Sequence, residues 1–124
     1  MLRREERLAG VDPRLQAVVR RAAATYPHDI IVLEGVRSLE RQQQLVKQGA
    51  SKTLDSKHLR GKAVDVAPVL DTDGDGDVEA SWHWPHYDQL APHMKAAALE
   101  LGVNLQWGGD WRTFKDGPHW ELRH

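Results

Sequence analysis

Apolar residues fall at helical spacing from Leu15 through Val18 and Val19 to Ala22, with Asp12-Pro13 just ahead of them. A capping carboxylate, a proline at the first helical position and an apolar stripe predict a helix that ends at Pro27. Ile30-Ile31-Val32-Leu33 is β-branched and apolar and is stopped by Gly35, the pattern of a buried strand. Ser38 is placed to cap a second helix reaching to about Lys47, with Gly49 as its stop. Residues 50–62 are polar and read as loop. Ala63-Val64-Asp65-Val66-Ala67 alternates small or apolar residues with a carboxylate and predicts a short strand ending at Pro68. Residues 71–81 form an acidic loop. A third helix is predicted from near Pro85 to Leu101, with Leu90, Met94, Ala97, Ala98 and Leu101 on one face and Gly102 as its cap. Two strand-like pieces, Val103–Trp107 and His119–Leu122, flank a loop containing Gly108-Gly109. Strands mixed with about three helices over short connections predict a small α+β domain with a short antiparallel sheet.

Composition narrows the chemistry. The chain has 124 residues, enough for a core that needs no staples, and no linker or repeat divides it, so residues 1–124 are read as a single domain. There is no cysteine, which excludes a disulfide framework, thiolate zinc sites, iron–sulfur clusters and a cysteine nucleophile. A metal would therefore take nitrogen and oxygen ligands from the seven histidines and 18 acidic residues. A net charge of -1 lacks the basic excess that nucleic-acid binding selects. No run approaches the ~18 consecutive apolar residues of a membrane span. The N-terminal Met1–Arg7 carries charge with no apolar core behind it, so no secretory signal is expected. The expectation is a monomer made in a cytoplasm, without nucleic-acid or membrane partners.

The segment Ser56-Lys57-His58-Leu59-Arg60-Gly61-Lys62-Ala63-Val64-Asp65 holds the most chemistry. A carboxylate on a strand otherwise made of alanine and valine is costly to bury unless paired or metal-bound. His58 and Asp65 suit convergence on one cation, with Gly61 permitting close backbone approach; a hydrogen-bonded core pair is the competing reading. Asp116-Gly117-Pro118-His119 adds a second histidine at the start of an apolar strand, with an acid three residues earlier. His58, Asp65 and His119 would make a three-ligand set with an open fourth position, the mark of a catalytic zinc. Asp116 is placed to act as general base, and a turn residue is its plainer role.

Ser-x-His-x-x-Gly-x-Ala-x-Asp, followed at a distance by Asp-x-x-His, resembles the zinc D-alanyl-D-alanine carboxypeptidases of the VanY and VanX type. It is more similar to the L-alanyl-D-glutamate peptidases that serve as phage endolysins. The likeness runs from about Gly35 to Leu122. It includes Gly35-Val36-Arg37-Ser38 with Gln42, Trp107-Gly108-Gly109-Asp110-Trp111, and Asp116-Gly117-Pro118-His119. The resemblance implies a fold of the Hedgehog/DD-peptidase type, with zinc on His58, Asp65 and His119 and Asp116 as base, where some relatives carry Glu. It also implies Arg37 in the cleft, donating to the substrate carbonyl as it becomes an oxyanion; a surface ion pair is the alternative for Arg37. Ser56 either binds substrate or braces the His58 loop, and Gln42 supports the site. Trp107, Trp111 and Trp120 are expected in the core or the cleft wall.

The resemblance points to a peptidoglycan stem-peptide hydrolase cutting L-alanyl-D-glutamate, working on the cell wall after holin-type release from a host cytoplasm. The competing functions are D-alanyl-D-alanine carboxypeptidase and a non-catalytic zinc module of the same fold. Apart from this, Asp71, Asp73 and Asp75 with Gly76 follow the first half of a calcium loop, with Asp77 and Glu79 adding carboxylates. Trp82 stands where the bidentate glutamate of that motif belongs, so calcium site and solvated acidic turn both remain open. His86 has a further expectation, as a cleft-lining residue; His28, His83, His93 and His124 have no assigned role.

Overall fold

The computed structural model describes residues 1–36, 44, 47–48, 61–113 and 115–123. Helix α1 covers Pro13–Thr25, with Asp12 as its cap: the Asp12 carboxylate accepts from the Arg14 backbone N–H at 2.9 Å. Leu15, Val18, Val19 and Ala22 form its buried face, as the spacing predicts. The second predicted helix lies outside the described residues except for Gln44, Lys47 and Gln48, where the Gln48 N–H donates to the Gln44 carbonyl at 3.0 Å.

Strands β1 (Leu2–Arg3), β2 (Asp29–Glu34), β3 (Ala63–Leu70), β4 (Glu79–Ala80), β5 (Leu105–Trp107) and β6 (His119–Leu122) make one sheet. Its order is β1-β2-β3-β6-β5, with β4 also paired to β3. The α+β class stands, but the sheet is mixed instead of purely antiparallel, because β1 runs parallel to β2. A two-residue strand has too few positions to show an alternation, which is why the pattern of residues misses it. A short 3-10 turn, Glu5–Leu8, follows β1 and buries Leu8.

Strand β3 runs past Pro68 to Leu70, where the sequence reading ends it at the proline. Pro68 lacks an N–H, and a central strand normally rejects it for that reason. Here its carbonyl accepts from the Ser81 N–H at 2.8 Å. The missing return bond would have gone to the Ser81 carbonyl, and the Tyr87 hydroxyl donates there instead at 2.6 Å. A side chain has replaced the ladder donor, so the strand continues.

Helix α2, Trp84–Leu101, contains Pro92 and ends on Gly102, whose φ of 68° is the left-handed conformation that glycine adopts freely. The Val103 N–H turns back to the Ala98 carbonyl at 2.9 Å, so Val103 closes the helix and β5 begins two residues later than predicted. Tyr87, Leu90, Ala91, Met94, Ala97 and Ala98 of α2 join the α1 stripe in one core. From the sheet, Ile30, Val32, Val64, Val66, Trp120 and Leu122 complete it. The two helices pack on each other and on this face.

Asp12 does more than cap α1. Its carboxylate also accepts from Lys62 Nζ at 2.7 Å, and its N–H donates to the Gly61 carbonyl at 2.8 Å, so the helix start is tied to the start of β3. The Arg14 side chain, then Lys62, hold its carboxyl well below the usual carboxylate range. A group whose pKa falls on folding stabilises above its unfolded value and loses that contribution as pH drops. Asp12→Ala is therefore expected to cost about 1–2 kcal/mol near neutral pH. The gap to the unaltered chain should narrow from about pH 4 downwards. Urea denaturation at neutral pH and at about pH 3 measures both, and an equal gap at the two values would contradict the assignment.

Candidate metal centre

Side chains on a strand alternate between faces, so Asp65 lies opposite the core-facing Val64 and Val66. Antiparallel pairing of β3 with β6 places Asp65 directly across from His119. The two side chains are 18% and 10% exposed, and Asp65 Oδ1 lies 3.2 Å from His119 Nδ1. Asp116 reaches the same place from the turn before β6. Asp65, Asp116 and His119 each offer a ligand atom, and these atoms all lie within 4.8 Å of one another. Two carboxylates and an imidazole nitrogen this close, with little solvent to screen them, make a site for a cation.

The turn that delivers Asp116 is held by its neighbours. The Asp116 N–H donates to the Gly108 carbonyl at 3.1 Å, and the His119 N–H to the Asp116 carbonyl at 3.3 Å. Pro118 accepts from the Val66 N–H at 3.0 Å, joining the turn to β3. Trp107 Nε1 donates to the Gly117 carbonyl at 2.7 Å. Its indole is stacked between Trp84, at 6.0 Å, and Trp120, at 5.6 Å. Trp107 and Trp120 are thus core, while Trp111, half-buried, sets its ring 5.0 Å from that of His119 and forms a wall of the site.

Burial alone would depress the His119 imidazole, but hydrogen bonds to Asp65 and Glu121 outweigh it, and its pKa is pushed up to about 9. The Glu121 bond runs from Oε1 to His119 Nε2 at 2.9 Å. Sequence reading did not single out Glu121; the available signal was His119-x-Glu121 on a strand, a spacing that puts both on one face. Tyr87 is pushed up by burial first, then by the nearby Asp116 and Asp65 carboxylates.

His58, Arg37, Ser56 and Gln42 lie outside the described residues. His86, expected as a cleft-lining residue, pairs through Nδ1 with the buried Ser81 Oγ at 2.6 Å and packs edge-on against His83. In the acidic loop, Asp71, Asp73, Asp75 and Glu79 bring ligand atoms within 4.8 Å of one another, a group that does not include Asp77. Asp71 accepts from the Gly76 N–H at 2.9 Å and the Gly74 N–H at 2.8 Å, and the Gly76 bond is the main cause that holds its carboxyl below the usual range. Thr72 donates to Glu79 through both its N–H and its hydroxyl. Trp82 is 70% exposed.

Residues 2–122 match a family described as phage L-alanyl-D-glutamate peptidase. The chain is 35% identical over 116 residues to the L-alanyl-D-glutamate peptidase of Escherichia phage T5, spanning 90% of this chain and 80% of that protein. It is 30% identical over 117 residues to the peptidoglycan L-alanyl-D-glutamate endopeptidase CwlK of Bacillus subtilis, spanning 82% and 65%. Among solved structures, the Serratia marcescens L-Ala D-Glu endopeptidase ChiX superposes with a TM-score of 0.88 at 43% identity, covering 99% of this chain and 90% of that one. The vancomycin-resistance D,D-dipeptidase VanXYg, with a TM-score of 0.54, 18% identity and coverage of 90% and 50%, shares the fold.

Gly108 is the point where the turn can be tested. A Cβ there would collide with the Asp116 carbonyl and stand 3.0 Å from His119 Cβ. Gly108→Ala is expected to cost about 1–3 kcal/mol through overpacking and to lower hydrolysis by displacing Asp116. Urea denaturation and peptide-release assays check it; wild-type values in both would show that the turn tolerates the methyl group.

Proposed function

The chain belongs to the phage L-alanyl-D-glutamate peptidase family, and we propose that it hydrolyses the L-alanyl-D-glutamate bond of peptidoglycan stem peptides. The observation that carries this reading is the convergence of Asp65, Asp116 and His119 at the β3–β6 register. An imidazole and carboxylates, in a chain without cysteine, fit zinc as well as any divalent ion with nitrogen and oxygen ligands. Zinc would be held by His58, Asp65 and His119, where it would polarise the scissile carbonyl and lower the pKa of a water.

The remaining chemistry falls to side chains. Asp116, whose carboxylate lies close to the other two groups, takes the proton from the attacking water and passes it to the leaving amine of the glutamate. Arg37 donates to the carbonyl oxygen as negative charge develops on it. Ser56 and Gln42 hold the substrate or the surrounding loop. Trp111, beside the His119 ring, closes one side and limits water. The phage origin of the T5 relative supports action on the wall from a host cytoplasm after holin-type release; in this reading the chain works as a single domain and a monomer.

The acidic loop has the role of a calcium site in this reading. The convergence of Asp71, Asp73, Asp75 and Glu79 supports it, Glu79 standing in for the bidentate acid that Trp82 displaces, and Asp77 contributing charge.

Digestion of purified wall tests the reaction. New glutamate amino termini are expected, lost on chelation and restored by zinc, and Asp116→Ala should lower the rate by about 10²–10⁴-fold. Release of free D-alanine without new glutamate termini would favour the carboxypeptidase, and an inert protein that still binds zinc would favour a non-catalytic module. For the loop, calcium should raise the melting temperature of the unaltered chain and not that of Asp73→Ala. No calcium-dependent shift in either would leave a solvated turn.

A further inference from the structure

Glu121 touches the site through His119. Strand β6 places the two residues two positions apart on the same face, about 7 Å along the chain. The register sets Glu121 opposite Ala63 on β3 and Gln106 on β5. Ala63 carries a short side chain, and the longer Glu121 side chain reaches back towards His119. The result is a bond of 2.9 Å between two groups that are 14% and 10% exposed.

The two nitrogens of the imidazole are thereby divided. Nδ1 faces Asp65 and the converging carboxylates, and Nε2 faces Glu121. A neutral imidazole that binds a cation through Nδ1 must keep its proton on Nε2 and donate it. A carboxylate only accepts, so Glu121 selects that tautomer, orients the ring and makes Nδ1 a stronger ligand. We infer that Glu121 is a positioning residue of the metal centre, setting zinc affinity by holding His119 with Nδ1 turned towards Asp65. This rests on the proposed role of Asp65 and His119 as zinc ligands.

The competing role is purely structural: a half-buried acid tying down the end of β6. The two differ in what they move. A structural role would change folding stability and leave the zinc affinity of the folded chain alone. Glu121→Gln keeps an acceptor oxygen but loses the charge that strengthens the bond, while Glu121→Ala removes the acceptor.

The test is zinc affinity of the full chain by competition with a chromophoric chelator, for the unaltered protein, Glu121→Ala, Glu121→Gln and His119→Ala. The His119 Nε2 proton is followed by NMR in the zinc-loaded forms. Glu121→Ala is expected to weaken zinc binding by about 10–100-fold. Glu121→Gln should fall between it and the unaltered chain, with the Nε2 proton resonance moved upfield. Zinc affinity unchanged in Glu121→Ala, with His119→Ala losing it, overturns the role of Glu121 alone. Affinity unchanged in His119→Ala overturns the zinc reading beneath it. If Glu121→Ala does not fold, Glu121→Gln decides the matter: unaltered affinity with an unmoved Nε2 proton overturns the inference.

Discussion

The pairing of β3 with β6 is the constraint on which the rest depends. Opposing residues on antiparallel strands sit within about 5.5 Å of each other, and this register makes Asp65 and His119 such a pair. A slip of one residue would turn Asp65 into the core and Val64 or Val66 out of it. The apolar face therefore enforces the polar one. Val64, Val66, Trp120 and Leu122, packed beneath α1 and α2, hold the register that brings the two site residues together.

The turn before β6 is built from the same materials. Trp107 stacks between Trp84 and Trp120 and spends its indole N–H on the Gly117 carbonyl. Gly108 gives up its side chain so that the Asp116 carbonyl can sit against it. Asp116 thus depends on a column of aromatic rings for its place, and Tyr87 adds a second support. It packs against Gly117 and satisfies the carbonyl that Pro68 leaves open. Core packing and site geometry are the same set of contacts seen from two sides of the sheet.

Much of this was legible locally. Asp12-Pro13 and the stripe from Leu15 to Ala22 announced α1 because capping and helical periodicity act within a few residues. Gly102 announced the end of α2 for the same reason. Pro68 misled, since its cost in a strand depends on whether another donor reaches the orphaned acceptor, and Tyr87 comes from a separate helix. Val103 misled because a helix end can recruit the next N–H. Strand β1 left no pattern at all in two residues.

The site divides along the same line. Asp65, Asp116 and His119 stood out in the sequence because each is a titratable residue set among apolar or turn residues, and the motifs they form resemble those of a peptidase family. Sequence alone therefore determined which groups were available and that any metal would bind nitrogen and oxygen. Tertiary structure decided which of them meet, which imidazole nitrogen faces the carboxylates, and that Glu121 takes the other. Those outcomes rest on strand register and side-chain direction, and the register is set by pairing between residues more than fifty positions apart.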